Sequence, residues 1–401
     1  MNKLTEVSVK NGYRATCNHY RKLVHPLFLI LLVLLLTFPA QAKYSGVGNG
    51  EPNNPYQISD ANDMNEIGTH SEDWGSHFLL VNDINLADYT GTQFNIIGND
   101  SNAFTGVFDG NGHVISNFTY TGTGDVGIFG WVGDFYGGYG RVKCLGLRDP
   151  NIHAGGGAAL VGLIISGSIS HCYVEGGSVT FDFGGGGLVG MIASQVFTPS
   201  PITNCYVTCS VSGDSMVGGL VGMAGAPAVI TNCYATGRVS GSTYVGGLVG
   251  ASQGGTISNC SATGNVSGDS KVGGLVGYFY HNAISNCYSA GSVVGTTDVG
   301  GFVGYHSIGS YDKCFWDNTI NPGLDGIGNT TDPNVIGKST ANMQTKSTFT
   351  DAGWDFMEIW NIGENQTYPY LRVYPAGDLN HDGVVNLPDF AIFALHWLEE
   401  D

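Results

Sequence analysis

The chain has 401 residues, and 63 of them are Gly, roughly double the usual share. It carries 15 basic and 33 acidic residues, a formal net charge of −18, yet only 12% of its residues are charged and 42% are hydrophobic. This composition excludes a long disordered chain, a nucleic-acid binder with a basic surface and a collagen with Gly at every third position. It is typical of many short strands joined by tight turns.

Residues 1–42 read as a secretory signal peptide. An apolar run, Leu27–Phe38, follows a basic segment and ends at Pro39-Ala40-Gln41-Ala42, a small-x-small cleavage pattern. The run has about 12 residues, whereas a membrane-spanning helix needs about 20. An uncleaved anchor is the alternative. Cleavage after Ala42 leaves 10 basic and 32 acidic residues, no membrane span and an extracellular or cell-surface protein.

A short sequence repeat fills the middle of the chain. Gly-Gly-Leu-Val-Gly begins at residues 186, 218, 246 and 273, with Gly-Gly-Phe-Val-Gly at 300 and degenerate forms at 126 and 158. Each later copy is followed by a segment of the type Ile-Thr-Asn-Cys-Tyr, and the cysteines recur at 144, 172, 205, 233, 260, 287 and 314. The period is about 27 residues, and a fixed period of this size indicates a solenoid or a propeller.

The repeat favours a right-handed parallel β-helix. Its segments are rich in β-formers and punctuated by Gly, which argues against helical repeats. A propeller blade needs about 40 residues, whereas the shorter period here fits one coil of a three-sided β-helix with coils about 4.8 Å apart. The right hand follows the general rule for parallel crossovers.

Side-chain directions follow from alternation along each strand. Each Cys and the small residue two positions later should point inward, with the aromatic residue between them outward. The Ile three positions before Cys should also be inside, so the Asn between them breaks the alternation in the left-handed region. We expect an inside corner of stacked Asn side chains.

The repeat resembles the GLUG motif of bacterial secreted and surface proteins over residues 126–316, which implies a cell-surface or extracellular role. Residues 43–125 resemble the leader of such chains and should form an N-terminal cap and first coils, with a short capped helix over Asp60–Ile67. Residues 317–374 form a loop and an aromatic segment, Trp354–Leu371, that should close the far end of the solenoid. Some IgA-cleaving peptidases carry GLUG repeats, but their zinc motif, His-Glu-x-x-His, does not occur here.

Residues 375–401 carry a calcium-loop pattern followed by a predicted helix. Oxygen ligands stand at the loop positions that wrap one Ca²⁺, and Gly383 sits at the sharp turn. The predicted ligands are Asp378, Asn380, Asp382, the Val384 carbonyl, Asn386 and Asp389. The helix has one apolar stripe from Phe390 to Leu398.

This tail resembles one half of a type I dockerin. A dockerin normally pairs two such loops, and the sequence shows one. The resemblance implies calcium as the cofactor and a cohesin-like or cell-surface protein as a possible partner. The helix could equally pack on the solenoid end or on a second copy.

The in-register cysteines could form disulfides, bind a metal or be buried thiols. Stacked residues about 4.8 Å apart are too distant for the roughly 3.8 Å between the Cβ atoms of a disulfide, which favours free thiols. Cys209, outside the register, is expected to be partly exposed.

The outward aromatics predict a ladder that could bind a glycan or simply stabilise the sheet. Its members are Tyr173, Tyr206, Tyr234, Tyr288 and Phe315. An enzyme would be the other class, because a β-helix can host polysaccharide lyases and hydrolases. A glycosidase needs two close carboxylates, and the few acids of residues 155–310, such as Asp214 and Asp269, sit beside Gly in turns.

The sequence therefore predicts a non-catalytic, exported adhesion or scaffold protein with a calcium-binding tail. The alternative is a dockerin-borne component that binds or degrades polysaccharide.

Overall fold

Three parallel β-sheets form the wall of the molecule. The computed structural model describes residues 43–193 and 198–372. The chain passes from one sheet to the next and returns to the first one repeat later, as the pairing of Val211 with Val239 and of Val239 with Val266 shows. The predicted parallel β-solenoid is confirmed.

One sheet has ten strands, and we call it the cysteine sheet because most of its strands lie next to the recurring cysteines. These strands are Ile84–Asn85, Val114–Ser116, Gly146–Arg148, Tyr173–Glu175, Tyr206–Val207, Tyr234–Ala235, Ser261–Ala262, Tyr288–Ser289, Cys314–Asp317 and Val335–Lys338. The second sheet has seven strands. These are Thr119–Thr121, Asn151–Ala154, Ser178–Phe181, Ser210–Ser212, Val239–Ser240, Val266–Ser267 and Val293–Val294.

The third sheet has 20 strands, because most coils contribute at least two strands to it, one before a bend in the chain and one after it. These strands are Tyr56–Ile58, His77–Leu80, Val107–Asp109, Asp125–Val126, Phe129–Val132, Gly140–Lys143, Gly156–Gly157, Val161–Ile164, Gly167–Ser170, Gly185–Gly186, Val189–Ile192, Ser200–Thr203, Ser215–Gly218, Val221–Thr231, Thr243–Gly246, Val249–Ser258, Ser270–Gly273, Val276–Ser285, Thr297–Asp312 and Asp325–Ile327.

The Gly-Gly-Leu-Val-Gly motif makes this bend. Its Leu and Val both enter the core, as Leu220 and Val221 do. A Cβ on Gly218 would lie 1.9 Å from the Val221 carbonyl oxygen, and one on Gly219 would lie 2.2 Å from the Gly247 carbonyl oxygen. The glycines are therefore required because backbone approaches backbone within and between coils.

The Asn that precedes Cys205, Cys233, Cys260 and Cys287 turns the corner, as predicted, but its side chain faces outward. Asn204, Asn232, Asn259 and Asn286 have φ between 50° and 55°. Each is exposed or half-buried, so the expectation of an inside corner is wrong. The left-handed residue places two successive side chains outside, which lets both Ile and Cys point inward.

The cysteines are free thiols in the described residues. Cys172, Cys205, Cys233, Cys260, Cys287 and Cys314 are buried, as predicted, and Cys144 is half-buried. Cys209 is also buried, because the alternation inward at Val207, Cys209 and Val211 continues through it. The expectation that Cys209 is partly exposed is wrong.

Both ends of the described solenoid carry short helices. The helix Ala61–Ile67 begins after Asp60, whose carboxylate accepts hydrogen bonds from the backbone amides of Asn62 and Asp63. A 3₁₀ turn follows at Ser71–Asp73. Near the C-terminus lie the helices Thr340–Met343 and Lys346–Thr350 and an antiparallel pair of strands, Trp360–Asn361 and Tyr370–Leu371.

The aromatic segment packs on the outer face of the cysteine sheet, whereas we expected it to close the open end. Trp354, Phe356 and Trp360 bury Tyr288 and Phe315 of the last coils. At the end itself, Asp325–Ile327 and Val335–Lys338 add one further strand to two of the sheets.

Candidate ligand-binding face

Three tyrosines stack on the outer face of the cysteine sheet. Tyr173, Tyr206 and Tyr234 are in register on successive coils. Their ring centroids lie 5.0 and 4.9 Å apart, and the ring planes are parallel within 3°. Each follows a buried Cys, so alternation along the strand directs it outward. We call these three residues the tyrosine ladder.

The stacked rings of the ladder cover one another's faces. Each ring is half-buried by its neighbours. The ladder therefore presents ring edges and phenolic hydroxyls to solvent, and the inner ring faces are not open for a sugar to stack on. Aromatic pairs of this kind stabilise a sheet, and contact with a ligand would depend on hydrogen bonds.

Glu175 is the polar centre of this face. The Tyr206 hydroxyl donates a 2.6 Å hydrogen bond to the Glu175 carboxylate, and Arg148 lies 3.4 Å from the other carboxylate oxygen. Burial raises the pKa of all three phenols, and Glu175 raises that of Tyr206 further. The three hydroxyls are therefore neutral donors in ordinary buffers, and those of Tyr173 and Tyr234 have no recorded partner among the described residues.

Polar columns flank the ladder on both sides. On one side the corner residues bond along the solenoid axis, with Asn204 Nδ2 3.1 Å from His171 Nε2 and Asn232 Nδ2 donating to Asn204 Oδ1 at 3.2 Å. On the other side, two positions after the tyrosines, stand Glu175 and the exposed Thr208. Amide, hydroxyl and carboxylate groups thus border the phenols.

The ladder has a defined length. Gly146 is the register partner of Tyr173 on the preceding coil, and a Cβ there would lie 2.4 Å from the Tyr173 ring. The Tyr173 ring therefore packs directly on backbone. At the other end, Ser261 is in register with Tyr234 and breaks the run of rings.

Tyr288 and Phe315 are not part of an exposed face. They lie in the same outward column, but their exposed fractions are 2% and 1%. The Tyr288 hydroxyl donates to the Pro369 carbonyl at 2.5 Å, and the Phe315 ring contacts Phe349 and Trp354. The five-residue ladder predicted from the sequence is therefore corrected to three residues, because the aromatic segment covers the other two.

The predicted calcium ligands Asp378, Asn380, Asp382, Val384, Asn386 and Asp389 lie outside the described residues. Within them, His70, Glu72 and Asp73 place ligand atoms within 4.8 Å of one another. Lys43 occupies this cluster, with its ammonium 2.9 Å from Glu72 and 2.7 Å from Asp73. The hydrogen bond from Lys43, together with those from the Glu72 backbone amide and His70, lowers the pKa of Glu72 to about 2. The cluster therefore already holds a cation.

Several acids that stand beside glycines make contacts within turns or between coils. Asp109 forms an ion pair with Lys143 at 2.8 Å, and Asp134 accepts hydrogen bonds from the amides of Tyr136 and Gly138 within its own loop. The carbonyl of Asp214 accepts from two amides of the next coil. These contacts agree with the turn roles that the neighbouring glycines predict.

Sequence reasoning missed Glu175 as the partner of the ladder. It stands two positions after Tyr173, so the alternation that places the tyrosine outside places Glu175 on the same face. The reasoning also missed an outward cluster around Lys271, which the residues after Leu-Val-Gly could have indicated.

Comparison with known protein families supports the repeat found in the sequence. The model of the GLUG motif matches residues 213–240 and 241–267. Residues 213–267 of this chain therefore carry the GLUG motif.

Two curated proteins are similar in sequence to part of this chain. A protein of Evansella cellulosilytica, provisionally named a Gly-rich membrane protein, is 32% identical over 143 residues, which are 34% of this chain and 16% of the relative. Halomucin of Haloquadratum walsbyi is 30% identical over 140 residues, which are 32% of this chain and 2% of halomucin. The similarity thus spans a small part of each relative.

A solved structure has the same fold. It is a chain from Bacteroides ovatus, provisionally named an immunoglobulin A1 protease, with a TM-score of 0.51 and 22% identity. The match covers 81% of this chain and 94% of the other. Within residues 43–193 and 198–372, no helix has the length and apolarity needed to cross a bilayer.

Proposed function

We propose that this GLUG-repeat chain is a non-catalytic adhesion or scaffold protein of the cell surface or extracellular space. Its solenoid binds carbohydrate through the tyrosine ladder, and its C-terminal calcium loop attaches it to a partner. The observation that carries the proposal is the row of phenolic hydroxyls, about one strand spacing apart, between columns of amide and hydroxyl groups.

The chemistry of this face suits a sugar chain. Saccharide hydroxyls both donate and accept hydrogen bonds, and the face offers phenols, amides and a carboxylate in a fixed array. Because the groups are held by a rigid sheet, little side-chain freedom is lost on binding. The repeat of the rings along the solenoid axis would match successive units of one extended chain.

The location rests on the sequence and on the relatives' names. The apolar run at Leu27–Phe38 and the cleavage pattern at Ala42 favour export. One relative is named for a membrane and the other is named halomucin. Both names support a surface role.

The test removes hydroxyls and keeps the stacked rings. Residues 43–401 would be titrated calorimetrically with cellohexaose, xylohexaose and chitohexaose. The double variant Tyr173→Phe/Tyr234→Phe should weaken the binding of the recognised sugar about tenfold, because each lost hydrogen bond contributes about 0.5–1.5 kcal/mol. Its thermal midpoint should match that of the unmodified protein.

Tyr136→Phe is the matched control, since Tyr136 is 97% exposed in a loop away from the ladder. It should bind as the unmodified protein does. The proposal fails if none of the three sugars binds, or if the double variant binds as well as the control.

The calcium tail is a separate part of the proposal. It is supported by the loop spacing of residues 378–389 and by the apolar stripe of the segment that follows. In the full chain, Asp378→Ala/Asp382→Ala should abolish one calorimetric Ca²⁺ site, and Asp351→Ala/Asp355→Ala should leave it intact. Equal Ca²⁺ binding by both double variants would refute the assignment.

A further inference from the structure

A second cluster of aromatic side chains lies on the 20-stranded sheet and surrounds one lysine. The Lys271 ammonium lies 4.7 Å from the Tyr244 ring centroid, 5.2 Å from that of Tyr305 and 5.9 Å from that of Tyr278. All four residues are half-buried. We call them the lysine cage.

The repeat register builds the lysine cage. Tyr278 and Tyr305 are register partners on neighbouring coils, at the position after Leu-Val-Gly and Phe-Val-Gly, and their rings stack with centroids 5.8 Å apart. Tyr244 and Lys271 share a second column, where both adopt positive φ, 58° and 55°. Ala251 stands in register with Tyr278 one coil earlier, and the Tyr244 ring lies edge-on to Tyr278 at 5.2 Å.

Lys271 differs in its partners from Lys43, Lys143 and Lys313. Lys43 and Lys143 form ion pairs below 3 Å, and Lys313 lies 3.7 Å from Asp312. Lys271 has no carboxylate within ion-pair distance among the described residues, although Asp298 follows it in the same column. Its recorded hydrogen bond is a long one, 3.4 Å, to the Tyr244 hydroxyl.

Three tyrosine rings therefore hold an ammonium that has no carboxylate of the described residues within ion-pair distance. Cation–π contacts fix its position without using its N–H donors on an anion. The long Lys271 side chain is thus already ordered in the free protein, so ligand binding loses little further side-chain entropy. A positioned cation bordered by phenols is suited to an anionic group carried on a hydroxyl-rich ligand.

We propose that the lysine cage is a binding site for a carboxylated sugar, with the Lys271 ammonium pairing with the carboxylate and the phenols of Tyr278 and Tyr305 contacting the pyranose. Asp298 works against this binding at short range. The site goes beyond the tyrosine ladder, since it lies on another sheet and recognises charge. A hexuronate polymer is the simplest ligand with this chemistry.

The test compares a negatively charged oligosaccharide with its uncharged methyl ester. Residues 43–401 would be titrated with hexagalacturonate and with its fully methyl-esterified form, in chelator so that no calcium bridges the ligand. The acid should bind about tenfold more tightly than the ester, and its affinity should fall as salt rises. Equal affinity for acid and ester, or no binding of the acid, would overturn the proposal.

Variants then locate the site. Lys271→Met should reduce the affinity for the acid about tenfold, and it should fold, because Met216 occupies the same column with φ 54°. Arg238→Met removes the same charge from an exposed position outside the cage and is the matched control. Asp298→Asn should tighten binding of the acid by about twofold, since it removes a negative charge that repels the ligand carboxylate.

The ladder and the cage give separable results. Tyr173→Phe/Tyr234→Phe should keep the preference for hexagalacturonate over its methyl ester, and Lys271→Met should leave binding of a neutral hexasaccharide unchanged. If Lys271→Met and Arg238→Met bind hexagalacturonate alike, the cage is not the site, whatever the ladder does.

Discussion

The Tyr206 hydroxyl donates a 2.6 Å hydrogen bond to the carboxylate of Glu175, which lies one coil earlier. This bond joins two coils on the outside of the solenoid, and it belongs to the same face as the tyrosine ladder. It also affects how stability depends on pH. Burial and the Glu175 carboxylate both raise the pKa of Tyr206 above its ordinary value.

Glu175→Gln should make the protein less sensitive to alkali. A raised phenol pKa means that the folded state keeps a proton that the unfolded chain releases near pH 10. The contribution of Tyr206 to stability is therefore complete below about pH 10 and is lost as pH rises toward the folded-state pKa. With the carboxylate removed, the folded-state pKa of Tyr206 falls, so the loss of stability that begins above about pH 10 should level off at a lower pH in urea unfolding. Asp182→Asn, an exposed acid nearby, is the control, and an unchanged pH profile in Glu175→Gln would contradict the coupling.

Asn321 caps the free edge of the seven-stranded sheet. It is buried, its Oδ1 accepts from the Val293 amide at 2.8 Å, and its Nδ2 donates to the Gly291 carbonyl at 3.0 Å. The side chain thus takes the place of a neighbouring strand. Asn321→Asp should destabilise the fold by about 1–3 kcal/mol, because it leaves a buried carbonyl without a donor.

The uncapped edge should also favour association of the Asn321→Asp protein, which size-exclusion chromatography would detect. Asn318→Asp changes an exposed amide in the same loop and should do neither. Equal stability of the two variants would show that the cap contributes little.

We expect the aromatic segment to contribute strongly to the stability of the last coils of the solenoid. Trp360 is fully buried against Tyr288 and Trp354, with centroids 6.1 and 4.7 Å away. Trp360→Ala should cost about 3–5 kcal/mol in chemical unfolding, whereas Tyr370→Ala, 47% exposed, should cost much less.

Trp360→Phe separates packing from polarity at the same position. The indole N–H of Trp360 has no hydrogen-bond partner in the described residues, so replacing the ring removes a buried, unsatisfied donor. This variant should lose clearly less stability than Trp360→Ala. A Phe variant as unstable as the Ala variant would contradict this view of the site.

The solenoid thiols should be unreactive until the protein unfolds. Burial raises the pKa of Cys209 and Cys314 to about 12 and that of Cys205 well above its ordinary value. Thiolates are the reactive form, so iodoacetamide with mass spectrometry should label Cys144 first and the buried positions only in denaturant. Rapid labelling of Cys209 in the native protein would contradict its place in the core.

Repetition explains what could be predicted from the sequence. The inward Ile and Cys, the outward Tyr and the left-handed Asn recur from coil to coil, and strand alternation is local, so one coil predicts the next. The predicted direction of the Asn side chain was wrong, because a left-handed residue shifts the alternation by one position. The outward Thr231 and Asn232, between Ile230 and Cys233, show this shift.

Contacts outside the repeat could not be predicted. Tyr288 has the same sequence context as Tyr234, yet it is buried because Pro369 and Trp360, which follow the last repeat, pack on it. The lysine cage could not be predicted from the sequence either, since it joins positions of two different columns on three coils. Such non-repeating contacts depend on the packing of segments distant in sequence.

Hydrogen–deuterium exchange with a bound neutral hexasaccharide tests the central claim most directly, because it locates the ligand on the solenoid. Using the sugar that calorimetry identifies, we predict slower exchange at residues 173–176, 204–208 and 232–236, with residues 276–308 unchanged. Protection confined to another sheet, or none along the tyrosine ladder at saturating sugar, would contradict the assignment of that ladder as the carbohydrate-binding face.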